Sequence, residues 1–244
     1  MGVSRRRRWT SDTRHWTFPP VSTRLPANAM RFKRRLLRWF RSAGRALPWR
    51  DTRDPYHIVV SEFMLQQTQV SRVLEYYPRF LRRFPTVGSL ARATPGQVRE
   101  AWEGLGYYRR AANLHRLART VGEEHNGTIP SEPGRLQQLP GIGRYTAGAI
   151  ASFAYEQRSA AVDTNAARVL YRVFRPRRRR RSREHVLWSL AQRLLPGRRR
   201  TAWEFNQALM DLGAQICVAR RPRCSECPVQ PVCRTGATGA GPSQ

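Results

Sequence analysis

An all-α fold is what this sequence predicts, on three observations. Apolar residues recur three and four positions apart along most of the chain from Met30 onward, Pro and Gly punctuate these runs, and no convincing series of strands is present. With 244 residues, 40% of them hydrophobic, the chain can bury a core in one or two helical lobes.

Taken in order, residues 1–29 mix Arg, Ser, Thr and Pro without periodicity, which predicts a flexible basic arm. Helical spacing begins with MRFKRRLLRWFRSAG (30–44) and resumes in VSEFMLQQTQVSRVLEYYPRFLRRF (60–84), which reads as one continuous run. VGSLARA (87–93) and PGQVREAWEGLG (95–106) follow, the second opened by Pro95 and closed by Gly106. RRAANLHRLARTVGEEHNG (109–127) stops at Gly127, and EPGRLQQLPG (132–141) lies between Pro133 and Gly141. The pattern continues through RYTAGAIASFAYEQ (144–157), TNAARVLYRVF (164–174), REHVLWSLAQRLLPG (183–197) and TAWEFNQALMDLGAQIC (201–217). The same signals give roughly ten short helices in all. Residues 235–244 end the chain as a small-residue tail.

The charge balance names a class of partner. Lys and Arg total 45 against 16 Asp and Glu, for a net charge of +29 and a sequence pI near 11.7. Such a field favours a polyanion. Lys33 is the only lysine; an Arg bias of this kind also arises from a GC-rich genome, so the clusters say more than the total. They fall at Arg5 to Arg8, Arg177 to Arg181 and Arg198 to Arg200, each readable as a solvated segment or as a set of phosphate contacts. No run of about 18 apolar residues exists to span a membrane, and the basic N-terminus lacks the apolar stretch of a secretory signal. The expected location is cytoplasmic, without a membrane partner.

Two motifs carry chemistry. LPGIGRYTAGAI (139–150) sets glycines at 141, 143 and 148 around the start of a helical run. Such a start lets backbone approach a ligand closely and offers unpaired N–H groups and a partial positive charge, so an anion is the natural guest. That anion is either a nucleotide phosphate or a nucleic-acid phosphate, and the basic composition favours the latter. A phosphate loop ending in Lys followed by Ser or Thr is absent, which argues against a nucleotide-hydrolysing enzyme. All four cysteines lie in CVARRPRCSECPVQPVC, where Cys217, Cys224, Cys227 and Cys233 have C-x6-C-x2-C-x5-C spacing. Two disulfides are the plain alternative, but in a cytosolic chain such a cluster points to metal. Zinc suits four thiolates on ligand count alone, while the unequal spacing wraps an object as large as a [4Fe-4S] cluster.

LPGIGRYTAGAI followed by VDTNAARVL resembles the helix-hairpin-helix DNA glycosylases of the endonuclease III superfamily, whose iron–sulfur members share this cysteine spacing. Within that superfamily, LPWRDTRDPYHIVVSEFMLQQTQV, WEGLGYYRRAANLH, SFAYEQRSAAVDTNAARVL and FNQALMDLGAQIC look most like the adenine DNA glycosylases, over roughly residues 30–235. The resemblance implies a two-lobed helix-hairpin-helix glycosylase with a C-terminal [4Fe-4S] loop held by the four cysteines. One lobe, 54–182, would carry the hairpin; the other would combine 30–53 with 183–234. It implies a monomer that acts on double-stranded DNA containing a mismatch, flips the base, and removes adenine paired with guanine or 8-oxoguanine.

The resemblance also distributes roles. Breaking an N-glycosidic bond calls for an acid to protonate the departing purine and a carboxylate to stabilise positive charge on the sugar. Glu62 matches the family's acid and Asp163 its catalytic aspartate, supported by Asn165. From the residues alone, Glu62 is a carboxyl in an apolar run whose burial would raise its pKa, and Asp163 equally reads as a helix cap. Trp49 and Arg50 match residues lining the adenine pocket, and Gln207 matches an adenine-contacting position. Leu65, Gln66 and Gln67 match the intercalating segment, although a Gln pair on a helix is also an ordinary exposed surface. Tyr107 or Tyr108 matches the aromatic wedge, or is a core aromatic. Gly141 and Gly143 match the hairpin that holds a DNA phosphate, or make a tight turn. Tyr145 stands where the glycosylase-lyases have a Schiff-base lysine, so base removal without strand cleavage is expected. Only eleven residues follow Cys233, which leaves no room for the second, 8-oxoguanine-reading domain of typical adenine glycosylases. The compact thymine and uracil mismatch glycosylases, acting on T·G or U·G, are therefore the alternative.

Overall fold

The computed structural model describes residues 25–175 and 183–236. Arg5 to Arg8 and Arg177 to Arg181, with most of the expected arm and tail, lie outside the described residues. Eleven α-helices account for most of the rest: α1 (Ala29–Ala43), α2 (Pro55–Leu65), α3 (Val70–Arg83), α4 (Val87–Arg92), α5 (Pro95–Ala101), α6 (Arg109–Glu124), α7 (Pro133–Leu136), α8 (Arg144–Phe153), α9 (Thr164–Phe174), α10 (Arg183–Leu194) and α11 (Arg199–Gln215). Short 3-10 turns form at Pro48–Arg50, Cys224–Glu226 and Gln230–Val232. Among the described residues there is no strand, and no helix is long and apolar enough to cross a membrane.

Local chemistry explains the boundaries. Phe32, Leu36 and Phe40, four apart, give α1 its buried stripe against α11, while arginines cover the opposite face. The α2 helix opens at Pro55 with Asp54 as its cap, the carboxylate accepting the N–H groups of Tyr56 at 2.7 Å and His57 at 3.3 Å. Every residue from Ile58 to Met64 is buried, so α2 is the central helix, packed against α3, α6 and α8. Reciprocal capping boxes, Thr86 with Ser89 and Thr94 with Gln97, start α4 and α5.

The run from Val60 to Phe84 is not continuous. It breaks after Leu65, and Gln66 to Gln69 form a loop, with Gln67 in the left-handed region at φ 57°. The cause lies outside the segment: the buried guanidinium of Arg110 on α6 donates to the carbonyls of Phe63 at 3.1 Å, Met64 at 2.7 Å and Gln66. These are carbonyls that a helix end leaves unpaired, so a side chain from α6 terminates α2. The expected helix over 95–106 likewise stops at Ala101, because Gly104 and Gly106 take positive φ, and 132–141 keeps only the single turn of α7.

Two glycines set the distances that matter. Gly141, at φ 79° between α7 and α8, has no room for a side chain: a Cβ would lie 2.9 Å from both Asn113 Cβ and Phe63 Cε1. Gly213 on α11 lies against α9, where a Cβ would be 2.7 Å from Asn165 Cβ. That close crossing brings the start of α9 beside α11. Within the sequence-derived 54–182 segment, α9 packs on α10 and α11 and α8 also meets α11, while α2 to α8 pack mainly among themselves.

Candidate active site and metal centre

One cavity of about 630 Å³ gathers side chains from six parts of the fold. Glu62 and Leu65 reach it from α2, Gln66 and Gln67 from the loop beyond, Tyr145 from the first turn of α8, Asp163 and Asn165 from the head of α9, and Gln207 from α11. Trp49 and Arg50 complete it from the turn after α1. Ten residues singled out by sequence therefore share one space.

Glu62 is buried, and burial pushes its carboxyl from 4.5 up to about 7; a hydrogen bond from Tyr145 opposes the rise and the nearby Asp163 carboxylate adds to it. A carboxyl held near 7 keeps its proton at neutral pH and can give it up. Tyr145 is pushed well above the usual phenol value, first by burial and then by Glu62, so it stays a neutral hydroxyl. Its oxygen also lies 3.9 Å from Met210 Sδ.

Asp163 has both carboxylate oxygens engaged. Oδ1 accepts the Ala166 N–H at 2.7 Å, capping α9, and Oδ2 accepts the Asn165 amide at 2.8 Å. Arg168 donates to Asn165 Oδ1 at 2.7 Å, which fixes the amide with its NH2 toward Asp163. The same guanidinium donates to the carbonyls of Gly213 and Cys217, each at 2.7 Å. Asn206 holds the segment leading to Asp163, donating to Ser152 Oγ at 2.9 Å and the Ser159 carbonyl at 2.8 Å.

On the opposite wall Asp211, fully buried, accepts from Arg50 through both oxygens at 2.9 Å and from Arg45 at 2.8 and 2.5 Å. Burial alone would raise its pKa, but the hydrogen bonds and charge of Arg50, then those of Arg45, hold it below the usual carboxylate value. Arg50 Nε also donates to Gln207 Oε1 at 2.8 Å. Because a guanidinium has no acceptor, Gln207 must turn its oxygen to Arg50, and its NH2 is left to meet an occupant of the cavity. Arg45, Arg168, Met210 and Asp211 were not among the residues marked by sequence. For Asp211 a signal existed: it lies one helical turn from Gln207, so an acid on the same face of α11 implied a buried cation.

Gln66 and Gln67 form a rim between this cavity and a second recess of about 420 Å³ lined by Tyr107, Tyr108, Arg109, Arg110 and Asn113. The two tyrosines are surface residues, 60% and 40% exposed. Gly141 and Gly143 are absent from both spaces; they are exposed at the head of α8, and nothing lies within 4 Å of a Cβ built on Gly143. That leaves the first N–H groups of a ten-residue helix open to an anion.

Cys217, Cys224, Cys227 and Cys233 are unbridged and line a further cavity of about 400 Å³ with apolar neighbours such as Val169 and Val229. Burial pushes the Cys227 thiol up to about 11, so thiolate at this place needs a cation. Cys217 Sγ receives Arg172 Nη1 at 3.4 Å and Cys233 Sγ receives the Gly236 N–H at 3.4 Å, donors that suit metal-bound sulfur. Among the described residues no three Cys, His, Asp or Glu side chains converge closely enough for one ion. Four thiols around one cavity are the number of donors that a [4Fe-4S] cluster takes.

The chain matches two family descriptions: HhH-GPD superfamily base excision DNA repair protein over residues 60–193, and iron-sulfur binding domain of endonuclease III over residues 217–233. The second match begins at Cys217 and ends at Cys233, so it spans all four cysteines. The chain is 46% identical over 219 residues to an adenine DNA glycosylase of Rattus norvegicus, covering 85% of itself but 42% of that relative. It is 38% identical over 205 residues to a thymine-DNA glycosylase of Aeropyrum pernix, covering 82% of itself and 92% of the relative. A solved structure of a thermostable thymine-DNA glycosylase superposes with a TM-score of 0.79 at 30% identity, over 86% of this chain and 97% of that one. By these matches and by its helix-hairpin-helix fold with a terminal cysteine loop, the chain belongs to the HhH-GPD superfamily of base excision DNA repair proteins.

Proposed function

We propose that this protein is a monofunctional DNA glycosylase that flips adenine out of a mismatch with guanine or 8-oxoguanine and hydrolyses its N-glycosidic bond. The observation that carries the reading is the meeting of Glu62, Tyr145 and Asp163 in one cavity, with Glu62 at about 7. Glu62 gives its proton to a ring nitrogen of the adenine as the C1′–N9 bond breaks, the bonding pair leaving with the base. Asp163, oriented by Asn165, stabilises the positive charge that develops on the sugar. Water then adds its oxygen to C1′, and its proton returns to the Glu62 carboxylate. Tyr145 supports the sugar and supplies no amine. Lys33, the chain's only lysine, sits in α1 away from the cavity, so no lysine Schiff base forms and the strand stays uncut.

Trp49, Arg50 and Gln207 hold the base. Leu65, Gln66, Gln67 and Tyr107 or Tyr108 occupy the gap in the stack, and the exposed backbone at Gly141 and Gly143 anchors a phosphate. The hairpin lobe, 54–182, and the lobe of 30–53 with 183–234 would grip the duplex as a monomer at the chromosomal DNA of the cytoplasm. The cysteine loop would carry its [4Fe-4S] cluster as a four-point crosslink, with the redox capacity such clusters bring.

Removal of thymine opposite guanine is the second reading, favoured by the match over nearly the whole of the thymine-DNA glycosylase of Aeropyrum pernix. Single-turnover excision on duplexes carrying A·8-oxoG, A·G, T·G and U·G, with alkali to reveal abasic sites, separates the two. Loss of adenine supports the first reading; loss of thymine or uracil with adenine intact overturns it.

A further inference from the structure

The two most conspicuous backbone distortions beside the base cavity belong to one side chain's territory. Gln67 and Tyr107 are non-glycine residues with left-handed backbone, at φ 57° and 46°, and both line the recess beside the base cavity. They sit on different loops, Gln66 to Gln69 after α2 and Leu105 to Tyr108 before α6. Arg110 ties the two together. Its Nη1 donates to the Phe63, Met64 and Gln66 carbonyls, and its Nη2 to the Leu105 and Gly106 carbonyls at 3.1 and 3.2 Å. The guanidinium carbon also lies 5.4 Å from the centroids of both the Trp102 and Tyr107 rings. Arg110 is 6% exposed, is absent from the lining of the base cavity and donates to carbonyls of the two loops, so its work is done through the loops it holds.

We infer that Arg110 is a positioning residue for base extrusion, its planar fork holding the Gln67 and Tyr107 tips in one rigid pair that enters the duplex. An extruded base leaves a gap in the stack and an unpaired partner, and a gap of fixed height needs fillers at fixed separation. An amide tip and an exposed aromatic tip, adjacent and held in strained conformations, meet that need. A guanidinium can bond both loops at once because its donors diverge in one plane, whereas an ammonium is a point donor. The inference rests on the glycosylase reading and assigns Arg110 to the step before bond cleavage.

The test compares two substrates. One is a fully paired duplex with an A·G mismatch; in the other the same adenine faces an abasic spacer, so that extrusion meets little resistance. For Arg110→Lys, single-turnover excision is expected to fall by about tenfold or more on the A·G duplex and by less than about twofold on the spacer duplex. Tyr107→Ala, which leaves the Arg110 contacts to carbonyls in place, is expected to show the same split, and the thermal melting of both variants checks that they are folded. Equal losses on both substrates would reduce Arg110 to general support of the pocket and overturn the inference, as would full activity of Arg110→Lys on the A·G duplex. A parent protein inert on both duplexes would overturn the glycosylase reading together with the role that rests on it.

Discussion

Replacing Glu62 by Gln separates the stability of the pocket from its chemistry. The carboxyl rises from 4.5 to about 7 in the folded chain, chiefly because it is buried. A folded pKa above the unfolded one means that the folded state holds the proton more tightly. The stabilisation this gives is complete below pH 4.5 and is lost as pH rises through about 7. At about 1.4 kcal/mol for each pH unit, the interval amounts to about 3 kcal/mol of stability lost by pH 8.5. Glutamine occupies nearly the same volume and has no proton to lose. The variant should therefore exceed the parent by up to about 3 kcal/mol at pH 8.5, and by no more than about 1 kcal/mol at pH 5. Urea unfolding of both proteins at the two pH values reads this difference directly, since every other titrating group is common to both and cancels. Adenine excision should move the other way. The parent's single-turnover rate falls about tenfold per pH unit above 7 as the acid form is depleted, while the variant is slow throughout. A parent-to-variant stability difference that is the same at pH 5 and pH 8.5 would refute the reasoning, because Glu62 would then titrate as an ordinary solvated carboxyl.

Two further outcomes follow from the site. Asp163→Asn keeps an oxygen able to accept the Ala166 N–H but sets its NH2 against the Asn165 NH2, so stability should fall by about 1–2 kcal/mol while DNA binding persists and excision is abolished; unchanged turnover would end the assignment of Asp163. Cys227→Ala should lose the brown colour and bound iron expected of the parent, as measured by visible absorbance and iron analysis; a colourless, active parent that contains zinc would contradict the cluster.

What the sequence made legible was local. Helical spacing located most of the helices, and contiguous segments such as VVSEFMLQQ and VDTN marked residues that the fold then brings into one cavity. What it hid was tertiary. QQTQ contains neither Pro nor Gly and reads as helix; α2 ends there because Arg110, more than forty residues later, takes its last carbonyls. The pairing of Asp211 with Arg45 and Arg50 spans over 160 residues, so no window of sequence contains both partners. Gln207 could be placed at the pocket, but which end of its amide faces inward follows only from the guanidinium behind it.

Cap and catalytic carboxylate are the two readings that sequence offers for Asp163; the structure shows the cap, and its geometry is compatible with both. A cap residue stands just outside its helix, with one oxygen turned to the first turn's N–H groups and the other turned away. Here Oδ1 meets the Ala166 N–H, while Oδ2 meets Asn165, and Asp163 and Asn165 both line the cavity. The hydrogen bonds therefore spend half of the carboxylate on holding α9 and leave the position of the other half determined by it. Gly213 then allows α11 to lie directly against Asn165, and Arg168 runs from that amide to the Cys217 carbonyl. Cys217 and the Asp163 carboxylate are in this way joined by three side chains, Asp163, Asn165 and Arg168, so a displacement of the cysteine loop reaches Asp163 through its orienting amide.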